Sequence, residues 1–148
     1  MTHTAKIAKN DIDHLNSFLR GERSAVETYR QVMDKAETPN VKTSLQTGFE
    51  SHTKRARLLE DKVRMMGGEP SKESGAWGTF AKAVQGGAKV FGISAAVATL
   101  EQGEDHGLED YKRDLKDLSP QSQEFVRTTL LPEQERTHAL LSGLKKSL

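Results

Sequence analysis

Apolar residues recur along this chain at steps of three and four, and no period-two alternation marks a strand. The clearest series is Leu45, Phe49, His52, Ala56, Leu59, Val63 and Met66, which predicts an amphipathic helix over about Val41–Met66. Gly67-Gly68-Glu69-Pro70 ends it, glycine first and proline after, in the order helix ends prefer. An earlier helix is expected from Asn10 or Asp11, either of which can cap it, to Lys35. Residues 1–9 lie outside that cap and are expected to be loose. Thr38-Pro39-Asn40 makes the turn between these two helices. A third helix is predicted over Ile93–Leu115. Ser119-Pro120 opens a fourth that runs towards Leu144, with a kink expected at Pro132. The fourth helix carries the stripe Val126, Leu130, Leu141, Leu144 and Leu148, and Gln134 lies nearer to it than Glu135 does.

Between Gly67 and Gly92 the composition changes, since seven of the twelve glycines fall there and mark a long crossover. Trp77, Phe80, Ala81, Val84, Ala88 and Phe91 share a face within it and predict a short extra helix, weakened by Gly86-Gly87. Short links join antiparallel neighbours, so the pattern is two helical hairpins joined by a long connection. The expected fold is all-α: one domain over residues 1–148, an antiparallel four-helix bundle.

Composition narrows the partners. With 22 basic and 21 acidic side chains the net charge is +1, which gives no electrostatic case for nucleic acid. There is no cysteine, which excludes disulfides and thiol chemistry and suits a cytoplasmic location. No apolar run approaches the roughly 18 residues of a membrane span. A homodimer is expected on general grounds only.

The chemistry lies in a repeated phrase. Gly21-Glu22 is followed by Tyr29, and Gly103-Glu104 by Tyr111, at the same spacing of almost two helical turns. Leu15, Phe18, Leu19, Val26 and Met33 share the face of the first pair; Val97, Leu100, Leu108 and Leu115 share that of the second. Each carboxylate is thus aimed into an apolar core, where an unpaired charge is costly. A common metal ion is a natural partner for two such groups. His52 sits in the buried stripe of the second helix. Glu135 and His138 form a Glu-x-x-His pair on one side of the fourth. Glu22, His52, Glu104, Glu135 and His138 are therefore the candidate ligands, with Tyr29 and Tyr111 as tethered hydroxyls beside them. His14 and His106 face away.

At these residues the chain resembles the ferritin-like superfamily, the rubrerythrin and carboxylate di-iron proteins. The phrases GERSAVETY, GGEP, SGAWGTF, GEDHGLEDY and LLPEQERTH are most similar to a bacterial branch of it catalogued as a domain of unknown function (DUF2383 type). The resemblance implies a ferritin-like bundle holding iron (two ions in the full set), with manganese or another divalent metal as substitutes. Glu22 and His52 would hold one ion and Glu104 and His138 the other, with Glu135 as bridge. Oxidation of ferrous iron by oxygen or peroxide, in stress protection or iron handling, is the implied chemistry.

One position departs from the family pattern. Three residues before His52, where a carboxylate belongs, stands Phe49. Glu50, about 100° round the helix, could substitute only if the helix locally rotated or unwound, and Glu101, one turn before Glu104, is the other candidate substitute. A packed ring there also favours an alternative, a metal-free structural or partner-binding bundle in which Glu22 and Glu104 pair with basic side chains such as Arg23 or Lys54. A further alternative, a membrane-associated quinone hydroxylase, needs the Trp77–Phe91 stripe to dock on lipid.

Overall fold

The computed structural model describes residues 2–74 and 92–148. Helix α1 spans His3–Lys35, α2 Pro39–Met65 and α3 Ile93–Asp114. A short 3₁₀ turn, Leu115–Asp117, leads to α4 at Pro120–Phe125, a π turn over Val126–Leu130, and α5 at Leu131–Ser147. No strand occurs among the described residues. The crossover stripe from Trp77 to Phe91, with its expected helix and lipid contact, lies outside them. Among the described residues, no helix is long and apolar enough to cross a membrane.

The first helix begins at His3, well before Asn10, so residues expected to be loose are helical. Thr2 supplies the cap, its hydroxyl accepting from the backbone N–H of Ala5. Once the bundle nucleates α1, extending it outward adds a hydrogen bond for each residue fixed. Asp11 then has a different task. Buried in the bundle, it accepts from Ser119 N, Ser119 Oγ and Ser122 Oγ, and so caps α4 across space. The end of α2 follows its glycines. Gly67, at φ 84°, takes the left-handed conformation, and the N–H groups of Gly67 and Gly68 return to Arg64 and Val63 at 3.0 and 2.9 Å.

Helices α1 and α2 pack as one hairpin and α3 with α5 as the other; α1 meets α3 and α2 meets α5 between them. Tyr29 of α1 reaches Glu104 of α3, and Tyr111 of α3 reaches Glu22 of α1, so these two helices run antiparallel. Since α2 also opposes α1, α2 and α3 point the same way. The end of α2 and the start of α3 therefore lie at opposite ends of the bundle, a separation of ~40 Å for the 27 residues of α2, which a short link could not span. Apolar packing comes in two blocks. One gathers Tyr29, Val32, Leu45, Val97, Leu100 and Leu141; the other gathers Leu15, Leu19, Leu59, Val63, Val126 and Leu130. A layer of polar side chains, all buried, lies between these blocks.

One glycine fixes how closely α2 approaches that layer. A Cβ on Gly48 would stand 2.3 Å from Cε1 of Tyr29, inside van der Waals contact with the ring. Gly48→Ala is therefore expected to destabilise the bundle by about 1–3 kcal/mol, as overpacking does. Urea unfolding of the two proteins measures it; equal midpoints would remove the argument for this close approach.

Candidate functional site

The buried layer is built from all four long helical segments. Glu22 comes from α1, His52 and Arg55 from α2, Glu104 from α3, and Gln134 and Thr137 from α5; all six are buried. The imidazole of His52 stands between the two carboxylates. Its Nδ1 is 2.6 Å from Glu22 Oε2 and its Nε2 is 2.5 Å from Glu104 Oε1. Tyr111 donates to Glu22 Oε1 at 2.7 Å, and Tyr29 to Glu104 Oε1 at 2.6 Å. Each tyrosine thus serves the glutamate of the opposite hairpin, not the one it shares a face with. Arg55 Nη1 lies 3.3 Å from Glu22 Oε1 and also donates to Gln134 Oε1, while Nη2 donates to Thr137 Oγ1 at 3.0 Å. Gln134 Nε2 and Thr137 Oγ1 complete the set on Glu104 Oε2, at 2.9 and 2.8 Å.

The electrostatics follow from this saturation. Burial pushes the Glu22 carboxyl up, but Arg55, His52 and the Tyr111 hydroxyl outweigh it and hold it below the usual carboxylate range. Glu104 is likewise raised by burial and lowered more by His52, Arg55 and Tyr29. Burial and the Arg55 charge disfavour a protonated His52, yet the two carboxylates prevail and its value is raised. Both tyrosines are pushed well up, by burial and then by the carboxylate each one touches, so their hydroxyls stay protonated donors. Two anions and two cations share a buried centre, and each oxygen of each carboxylate has a donor.

Of the sequence-predicted ligands, the structure brings Glu22, His52 and Glu104 together and leaves Glu135 and His138 outside. Glu135 is exposed. The inward series on the last segment is Val126, Leu130, Gln134, Thr137, Leu141 and Leu144, all buried at steps of four and three. Pro132 does not turn Glu135 inward, because it falls in the first turn of α5, where a missing N–H costs nothing. The carbonyl four residues back, which a proline ring would meet, belongs to Thr128 inside the widened π turn. Glu50 also faces solvent and accepts from Gln46. Phe49 is half-buried, packed against the apolar block of Tyr29, Val32 and Leu45, with Arg30 over its ring at 5.6 Å. His14 and His106 stay outside the layer, the first bound to the Asn10 carbonyl and the second paired with Asp110.

The centre does not fit the dinuclear metal set that the resemblance implies. Phe49 fills one bridging position, and the inward pair on α5 is Gln134 and Thr137 in place of Glu-x-x-His. The imidazole presents one nitrogen to each carboxylate, which keeps those groups on its opposite sides. Among the described residues, the one group of three His, Asp or Glu side chains whose ligand atoms all lie within 4.8 Å of one another is elsewhere. It comprises Glu101, Asp105 and His138, at the seam of α3 and α5. There His138 Nε2 contacts Asp105 Oδ1 and lies 3.9 Å from Glu101 Oε1, with Lys145 3.4 Å from the other oxygen of Glu101.

Sequence reasoning missed Arg55, Gln134 and Thr137 as members of the layer, and Asp105 at the seam. The signals were available: Arg55 follows His52 at three residues on the buried stripe, and Gln134 and Thr137 fill the gap between Leu130 and Leu141.

Two hairpins in this order, joined by a long return and facing each other through buried carboxylates, define a ferritin-like bundle. The chain belongs to the family described as a domain of unknown function (DUF2383), whose model matches residues 10–117. It is similar in fold to a solved structure described as ferritin like, diiron-carboxylate proteins from Bacillus anthracis str. Ames. The TM-score is 0.65 at 18% identity, over 99% of this chain and 96% of that one. No curated protein matches the chain.

The raised His52 value has a sign. Its stabilisation is fully present below the ordinary imidazole value of 6.5 and is lost as pH rises through the higher folded value. The lowered carboxylates stabilise above their ordinary 4.5 and lose that contribution as pH falls through their depressed values. Unfolding free energy from urea titrations is expected to peak between these limits and decline on the alkaline side. In His52→Gln the decline between 6.5 and the ordinary tyrosine value of 10 should vanish, leaving only the loss above 10 that the raised Tyr29 and Tyr111 contribute; a decline of the same size below 10 in both proteins would show that His52 is not its source.

Proposed function

We propose that this ferritin-like bundle binds one divalent metal ion, iron or manganese first among them, through Glu101, Asp105 and His138. The observation that supports the reading is their convergence, with one ligand atom from each lying within 4.8 Å of the others. Two carboxylates and an imidazole are the donor set those metals favour. The pair Glu101 and Asp105 lies one turn apart on α3, and His138 faces them from α5. The imidazole is 27% and Asp105 52% exposed, so an ion could enter and leave without opening the bundle. The similarity in fold to a solved protein described as diiron-carboxylate supports the reading. With iron bound, the chemistry supplied would be oxidation of the ferrous ion by oxygen or peroxide, in iron handling or stress protection.

A second reading, a metal-free structural or partner-binding bundle, is favoured by the saturated centre, where Arg55 and His52 already balance both carboxylates.

Anaerobic calorimetric titration of metal-free protein with ferrous iron, and separately with manganese, distinguishes the two. One ion per chain is expected, with His138→Ala and Asp105→Asn each weakening binding by at least about tenfold and Glu135→Gln leaving it unchanged. Two ions per chain, lost in Glu22→Gln, would return the site to the centre. No binding of either metal would leave the metal-free reading standing.

A further inference from the structure

The disagreement between this centre and a dinuclear site has a definite shape, because something occupies the place of the missing ligands. We infer that the Arg55 guanidinium is a built-in counter-cation standing where a metal would stand, and that its removal opens a site for a hard divalent cation.

Arg55 is wholly buried, the largest side chain so placed among the described residues. Its charge is applied to both hairpins. It touches Glu22 directly at 3.3 Å and reaches Glu104 through Gln134 and Thr137, each of which accepts from the guanidinium and donates to Glu104 Oε2. Its hydrogen-bond partners are all oxygens: the Glu22 carboxylate, the Gln134 amide carbonyl, the Thr137 hydroxyl and the Ser51 backbone carbonyl. An arginine is always protonated and presents a rigid set of donors, so it neutralises this oxygen cage through directed hydrogen bonds. A small cavity, whose lining does not include Arg55, lies beside the layer. It measures about 20 Å³, is lined by Glu22, His52 and Gln134 among others, and has room for about one water.

Take the guanidinium away and the same oxygens remain, with Glu22 and Glu104 facing His52 as the one remaining cation. An uncompensated buried carboxylate then needs a new positive partner. Oxygen donors of this kind suit manganese or magnesium better than zinc. The geometry therefore assigns Arg55 two effects: it keeps the apo bundle folded, and it keeps metal ions out of the centre.

The test uses the full chain carrying His138→Ala, which disables the proposed seam site, so that the two sites are read separately. In that background the melting temperature is expected to be the same in EDTA and in millimolar manganese. Adding Arg55→Ala should lower it in EDTA, and manganese at about a hundred times its Kd should raise it again by about 5–10 °C. Should that variant be unfolded in EDTA, manganese is expected to restore the helical circular dichroism. Arg55→Lys, which keeps a cation, should fold and ignore manganese. No manganese effect on Arg55→Ala, or a manganese effect on the Arg55→Lys or Arg55-intact protein, would overturn the inference. None of these outcomes depends on whether the seam site binds metal.

Discussion

Two glutamates from opposite hairpins are buried at one level of this bundle, and burying carboxylate charge is the constraint the structure is organised around. A lone carboxylate in such a place would be driven to protonate or to pull water into the core. Here the lowered values of both groups arise because the surroundings were built to receive anions. The His52 ring lies between them, the tyrosines cross from each hairpin to the other, and Arg55 ties α2 to α5. The same contacts that satisfy the charges therefore fix which helices are neighbours and at what register. The apolar blocks on either side supply the bulk of the burial, while this layer specifies the alignment.

A bundle of this kind can neutralise inward carboxylates with metal ions or with its own cations, and the two solutions require different neighbours. A dinuclear centre needs bridging carboxylates and leaves coordination positions open. A protein-only centre needs donors on every oxygen. Phe49, Gln134 and Thr137 are what the second solution calls for, and Arg55 supplies the charge. The seam of α3 and α5 has the reverse character: it is part-exposed, rich in carboxylate and joined by one imidazole. Its carboxylates are engaged too, by His138, Ser142 and Lys145, but by fewer donors and nearer to solvent than those of the centre.

Local chemistry also moved between elements. Asp11 has the residue type and position of a helix cap, and it is one, but for α4. The choice was decided by distance in space. Thr2 capped α1 at its own start, which freed the aspartate for an N-terminus brought alongside by the bundle. Pro132 followed a similar course. A proline at mid-helix reads as a kink, but the π turn before it converts its position into the beginning of a new helical segment.

What the sequence by itself determined was anything carried by periodicity: four long helical stretches, their short and long links, and the inward direction of Glu22, His52 and Glu104. Those follow from steps of three and four, which are properties of one helix at a time. Which side chain meets which was decided in tertiary structure. The crossing of the tyrosines, the placing of Arg55 between Glu22 and Thr137, and the exposure of Glu135 depend on how helices align against each other. A one-residue difference in position turns a side chain by about 100° around its axis, so Glu135 and Gln134 exchange roles on a shift that no local pattern of charge reports. The buried stripe from Val126 to Leu144 settles that shift because apolar packing area outweighs the preference of any single polar group for the centre.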